Sequence, residues 1–163
     1  MIDDSLVQIR PLSATEEAEA CARAMCESEP WVTLRRDYDH ALKALTSTSR
    51  EIYVALVKET LCGFIVINMV GPFPGYIQTL CIFEDCRDQG VGSKLLKFAE
   101  KRIFRETPNV FLCVSSFNIN AQRFYEQQGY KKVGEIEDYV VEGHSELLMR
   151  KTLGPLNGYP PSS

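Results

Sequence analysis

Arg87, Gly90 and Gly92 stand in the run RDQGVGSKLL (87–96), which follows an apolar stretch and opens an amphipathic segment. Glycines at a strand-to-helix turn let a ligand approach the backbone. A helix N-terminus adds unpaired N–H groups and about half a positive charge, so such a run can dock a phosphate. The spacing excludes two familiar phosphate loops. A P-loop needs G-x-x-x-x-G-K-[ST], whereas here Gly92 is followed by Ser93 and Lys94 in the reverse order, with no glycine five residues earlier. A dinucleotide fingerprint needs a third glycine where Leu95 stands, and an acidic residue ending the next strand, which here ends in Ser115 and Ser116. R-x-x-G-x-G is what remains.

A second group lies further on, in NINAQRFYEQQGY (118–130). Tyr125 carries a phenol that can donate a proton or pack a helix against a sheet, and Asn118 can cap the helix that follows it. Other reactive types are scattered. Tyr76, Gln78 and Thr79 lie on the stretch before the glycine-rich turn, Glu84 and Asp85 close that stretch, His144 sits near the end of the chain and Trp31 follows Pro30. The six cysteines, at 21, 26, 62, 81, 86 and 113, form no C-x-x-C pair. Cys62, Cys81 and Cys113 fall inside apolar runs, so reduced and mostly buried thiols are expected.

The elements that must position these residues follow from periodicity. A strand is predicted over 6–12, then a helix opened by Ser13-Ala14-Thr15-Glu16, which has the form of a capping box, through about residue 28. A second helix is predicted over 36–45, a hairpin of strands 51–57 and 61–70 turning at Lys58, Glu59 and Thr60, and a strand over 76–83 after a Gly/Pro-rich turn. From Gly90 the period becomes helical, with Val91, Leu95, Phe98, Ala99 and Ile103 on one face, and the helix stops before Pro108. The unbroken apolar run 110–114 reads as a strand covered on both faces, reached by a parallel crossover. A helix over 119–128 and strands over 130–139 and 146–151, around a loop with Gly143 and His144, complete the pattern.

A chain of 163 residues fits one domain, and 45% hydrophobic residues with 25% charged is the balance of a globular protein with an ordinary core. We expect one domain over 1–153 and a flexible tail over 154–163. The net charge of −4 argues against a nucleic-acid surface. No apolar run has the ~20 residues of a membrane span, and the acidic stretch Met1-Ile2-Asp3-Asp4 is unlike a signal peptide, so a cytoplasmic, non-membrane protein is expected.

R-x-x-G-x-G at 87–92, with N-x-x-A-x-x-x-Y-x-x-x-G-[FY] at 118–130 one strand beyond it, resembles the GNAT superfamily of acyl-CoA-dependent N-acetyltransferases. The resemblance covers about 6–152. It implies an α/β (α+β) fold with a mixed, mostly antiparallel sheet of about seven strands, a V-shaped splay between two parallel strands, and about four flanking helices. It also implies acetyl-CoA as co-substrate, an amine acceptor and a possible homodimer. By position, Leu80, Cys81 and Ile82 meet the thioester and pantetheine through main-chain groups. The amides of Arg87, Asp88, Gln89, Gly90, Val91, Gly92 and Ser93 grip the pyrophosphate, Asn118 touches the cofactor arm, and Tyr125 is the proton donor to the coenzyme sulfur.

The general base is the gap. The position eleven residues before Arg87, where some family members carry glutamate, is Tyr76, and the strand around it offers Gln78 and Thr79. His144 either faces the acceptor or faces solvent, and Trp31 either walls the acceptor or anchors its loop. Tyr76, Gln78, His144 and Trp31 are therefore the candidate acceptor residues. Neutralising a lysine-type amine at pH 7 costs about 4.6 kcal/mol and an α-amine about 1.4, so a missing base tilts the acceptor toward amines of low pKa. Two readings stand: an N-acetyltransferase, and a non-catalytic acyl-CoA-binding module or sensor.

Overall fold

The computed structural model describes residues 3–160. Residues 1–2 of the acidic N-terminal stretch and 161–163 of the expected tail lie outside the described residues. In chain order the strands and helices are β1 (Val7–Pro11), α1 (Thr15–Cys26), α2 (Tyr38–Leu45), β2 (Glu51–Val57), β3 (Thr60–Asn68), β4 (Tyr76–Ile82), α3 (Val91–Ile103), β5 (Asn109–Ser115), α4 (Ile119–Gln127), β6 (Lys131–Ile136) and β7 (Glu146–Thr152). The sheet order is β1-β2-β3-β4-β5-β7-β6. β4 and β5 pair in parallel at Tyr76↔Phe111 and Ile77↔Leu112, and β4 runs on through Gln78–Ile82 beyond that paired stretch. The mixed seven-stranded sheet with four helices is the fold class expected from the sequence.

The chain divides into two compact units, one of residues up to 68 with 78–99, the other of 69–77 with 100 onward. In the first unit β1, β2 and β3 form an antiparallel meander. Lys58 and Glu59 turn the β2–β3 hairpin at φ 49° and 66°, the paired left-handed conformation that matches strand twist, and Thr60 already belongs to β3. Apolar faces of the helices (Ala18, Cys21, Ala22, Met25, Ala41, Leu45) close over Val54, Phe64, Val66 and Cys81 to form a core.

The start of α1 departs from the capping-box expectation. Its N-cap is Ala14, with no side-chain cap, and it is Glu17 rather than Glu16 that reaches back, accepting from the Ser13 N–H at 3.2 Å. The cause is Arg10 of β1, whose guanidinium forks onto both Glu17 oxygens and fixes that carboxylate at the helix entrance.

The cysteines also differ from the expectation of six reduced thiols, because Cys62 and Cys86 form a disulfide. Phe83 N–H donates to the Cys62 carbonyl at 2.8 Å, and the single turn at Glu84–Cys86 then folds Cys86 back over Cys62. The Cα atoms stand 5.5 Å apart, a separation a disulfide can span. Cys21, Cys26, Cys81 and Cys113 are free thiols.

In the second unit β5 pairs with β7 and β7 with β6, all antiparallel. Gly75 (φ 90°) opens the parallel pairing by accepting from Phe111 N–H at 3.0 Å. A Cβ there would collide with the Asn109 carbonyl and lie 2.7 Å from Ile103 Cγ2, so glycine is required. Glu100 is buried and satisfied by Tyr130 Oη and Lys151 Nζ, each donating at 3.0 Å. β6 stops at Ile136, short of the predicted 139, because Asp138 enters a left-handed turn (φ 50°) and its carboxylate accepts from Gly143 N–H at 2.7 Å. Within the tail, the Tyr159 hydroxyl donates to the Phe104 carbonyl.

Candidate active site

In the first unit the R-x-x-G-x-G run is a turn between β4 and α3. Asp88 and Gly90 both take positive φ, 58° and 85°, and the Gly90 carbonyl accepts from Lys94 N–H at 3.3 Å as α3 begins. Side chains brace this turn from behind. Arg87 Nε donates to the Ile82 carbonyl at 3.2 Å and Gln89 Nε2 to the Asp85 carbonyl at 3.1 Å, while the Cys62–Cys86 bond ties the residue before Arg87 to β3. Gly90 at φ 85° is thus a conformational requirement.

Along β4 the burial alternates. Cys81 points into the core near Cys21, and burial pushes both thiols up to about 12, which leaves them inert. Leu80 and Ile82 are partly exposed on the alternate positions. Gln78 accepts from Arg50 Nε and is held by it. Trp31 is partly buried against the core that α1 and α2 close, and its carbonyl accepts from Arg36 N–H at 3.0 Å.

In the second unit Asn118 caps α4, its Oδ1 accepting from Ala121 N–H at 3.2 Å. Tyr125 is 9% exposed, with its ring edge-to-face against Phe124 (5.1 Å) and Tyr130 (5.6 Å). Burial raises its hydroxyl well above the ordinary phenol value, so the proton stays on the oxygen at neutral pH. His144 packs edge-to-face on Phe117 at 4.8 Å. Ser116 and Ser145 join the β5 end to the start of β7 by a pair of bonds, Ser116 N–H to the Ser145 carbonyl (2.9 Å) and Ser145 N–H to Ser116 Oγ (3.2 Å).

The same unit holds a group the sequence did not reveal. Tyr76 of β4 hydrogen-bonds Cys113 of β5, and the Glu146 carboxylate also acts to raise the Tyr76 hydroxyl. Glu146 opens β7, is 5% exposed, and accepts from Ser115 Oγ at 2.7 Å across the β5–β7 pairing. Burial first, then these neighbours, raise the Tyr76 hydroxyl; burial likewise raises the Cys113 thiol. The only trace of this group in the sequence is a carboxylate heading the otherwise apolar segment ELLM (146–149). Among the described residues no cluster of His, Cys, Asp and Glu suits a metal ion.

The first unit thus carries an R-x-x-G-x-G turn feeding a helix, and the second a buried tyrosine on a helix capped by asparagine. The sequence profile described as acetyltransferase (GNAT) family matches residues 13–130, and the chain belongs to that family. An uncharacterized N-acetyltransferase of Methanocaldococcus jannaschii is 32% identical over 101 residues, which are 61% of this chain and 64% of that protein. The matched stretch thus spans less than two-thirds of that relative's length. An N-alpha-acetyltransferase of Saccharolobus solfataricus is 24% identical over 114 residues, 62% of this chain and 68% of that protein. Among solved structures, an aminoglycoside 6'-N-acetyltransferase complexed with coenzyme A superposes with a TM-score of 0.71 at 16% identity, over 91% of this chain and 98% of that one. That likeness is one of fold.

Proposed function

We propose that the protein transfers an acetyl group from acetyl-CoA to a primary amine of a peptide or small molecule, in the cytoplasm, by direct attack within a ternary complex. The observation that carries this is the family match over 13–130, which takes in both motifs and ends at Tyr130, the last residue of the second. Residues 1–153 make up one acetyltransferase domain in this reading.

Acetyl-CoA supplies the activated acyl group; the chain supplies position and proton control. Backbone amides of Arg87 through Ser93 hold the pyrophosphate at the start of α3, where the helix dipole favours negative charge. Main-chain groups of Leu80 and Ile82 orient the pantetheine and thioester. Asn118, already a cap, presents its remaining polar atoms to the cofactor arm. Tyr125 donates a hydrogen bond to the sulfur as the C–S bond breaks. A buried phenol is a weaker acid than a thiol, so its effect depends on a bond formed before the bond-breaking step. Trp31, Gln78 and His144 are proposed to bound the acceptor.

The acceptor class is an α-amine. The Saccharolobus relative is named for α-amino acetylation, and an α-amine is the cheaper one to neutralise at pH 7. The test is mass spectrometry of free-amine peptides after incubation with acetyl-CoA. Acetylation at the peptide N-terminus is expected; coenzyme binding with every amine left unmodified would overturn the proposal.

A further inference from the structure

We propose that the Cys62–Cys86 pair is a thiol–disulfide exchange site, opened by a low-molecular-weight thiol, and that the state of this bond sets how tightly the turn after β4 holds acetyl-CoA. The inference rests on the reading of that turn as the pyrophosphate loop and goes beyond it by placing the loop under redox control.

Three observations carry it. The first is position: Cys86 immediately precedes Arg87, where the loop begins, and its sulfur is bonded to Cys62 near the start of β3. The second is asymmetry. Cys62 is 2% exposed, and its neighbour Gly63 lies so close to β4 that a Cβ there would come within 2.6 Å of the Cys81 carbonyl oxygen, so this end is packed in place. Cys86 is half-buried between exposed Asp85 and Arg87, and of the two sulfurs it offers the one a thiol from solvent reaches. The third is that the hydrogen bonds of the turn are local. Cys86 N–H donates to the Phe83 carbonyl at 2.9 Å and Arg87 N–H to the Glu84 carbonyl at 3.3 Å, and the Arg87 and Gln89 side chains bond the carbonyls of Ile82 and Asp85. Among the described residues, the ties from this segment to β3 are the Phe83 N–H bond to the Cys62 carbonyl, at 2.8 Å, and the disulfide. Asp88, a non-glycine residue at φ 58°, keeps its left-handed backbone only where the surroundings impose it.

With the bond closed, the amides of Arg87 to Ser93 are held near the geometry a pyrophosphate needs. With it open, ordering the turn becomes part of the cost of binding. In the reducing cytoplasm proposed above, disulfides are as a rule transient or redox-sensing rather than permanent. The exchange balances as follows. A thiolate RS⁻ attacks Cys86 Sγ, the S–S bond breaks with its electron pair on Cys62 Sγ, and a mixed disulfide R–S–S–Cys86 remains. A second RS⁻ attacks the sulfur of R, and Cys86 leaves as a thiolate. The protons given up by the two RSH end on Cys62 and Cys86. The protein disulfide is reduced by two electrons to two thiols while two RSH are oxidised to RSSR, and the reverse sequence, with RSSR as oxidant, closes the bond.

The test is titration calorimetry with acetyl-CoA on the full chain, equilibrated with millimolar reduced or oxidised glutathione, the state of the bond being read by mass after alkylation of free thiols. We expect the reduced protein to bind acetyl-CoA about fivefold more weakly, and oxidised glutathione to restore the tighter value. The double variant Cys62→Ser with Cys86→Ser should bind as weakly as reduced wild type in both buffers. Cys26→Ser, which removes a half-buried free thiol outside the pair, should respond to glutathione as wild type does. A purely structural disulfide predicts instead a lower melting temperature on reduction with the affinity unchanged. Equal affinity in the two states, a bond that reduced glutathione leaves closed, or a double variant that still responds to glutathione would overturn the proposal. Should the double variant not fold, the two states of the wild type decide by themselves. Oxidised wild type that binds no acetyl-CoA overturns the coenzyme reading of the loop and this inference with it, whereas binding indifferent to the bond overturns this one alone.

Discussion

Tyr125 carries its proton at neutral pH as any ordinary phenol does, and burial raises its hydroxyl further. Tyr125→Phe preserves the ring contacts with Phe124 and Tyr130 and removes only the hydroxyl. We expect kcat to fall about 100-fold, at the low end of general acid catalysis, while the melting temperature moves by about 2 °C or less. Steady-state kinetics beside calorimetry check this; a near-wild-type kcat would remove Tyr125 from the chemistry and leave the coenzyme loop untouched. Tyr125 and Asn118 could be found in the sequence because their spacing lies within one short helix. Tyr76, Cys113 and Glu146 come from three strands, and no spacing announces that β4, β5 and β7 set them side by side.

Between β4 and α3 the decisive feature is backbone conformation. Gly90 sits at φ 85°, where a β-branched side chain is strained and where its bulk would also block a phosphate. Gly90→Val is expected to weaken acetyl-CoA binding at least about tenfold in a protein that still folds, as titration calorimetry would show. Unchanged affinity in the folded variant would overturn the loop assignment. At the entrance of α1, the Arg10 guanidinium bonded to Glu17 holds that carboxylate at about 2, well below its ordinary value. A depressed carboxylate stabilises the fold above its unfolded pKa, near 4.5, and that stability is lost as pH falls toward about 2. Glu17→Gln should therefore melt up to about 3 °C below wild type at pH 7, with the two curves converging as the pH drops through that window. A gap that stays constant with pH would contradict the assignment. Helix and strand placement was legible from periodicity, but this entrance was not. The S-x-x-E pattern pointed to Glu16, while an arginine on the preceding strand selected Glu17.

For the molecule as a whole, the fold was legible because two motifs and the element order agree, and the profile of the family matches the stretch that contains them. The Cys62–Cys86 bond was not legible: its partners lie 24 residues apart and are joined by a strand ladder and a single turn, neither of which leaves a mark in cysteine spacing.

The central claim is that this chain performs acetyl transfer to an amine and does more than bind an acyl-CoA. The most direct measurement is thiol release from acetyl-CoA by the wild-type protein, with a free-amine tetrapeptide, the same peptide blocked at its α-amine but bearing a lysine, and spermidine as acceptors. The account predicts release above the amine-free background, with kcat/KM for the α-amine exceeding that for the lysine amine at pH 7. Saturable acetyl-CoA binding with no thiol released above background by any of the three would contradict it, and would make the protein an acyl-CoA-binding module.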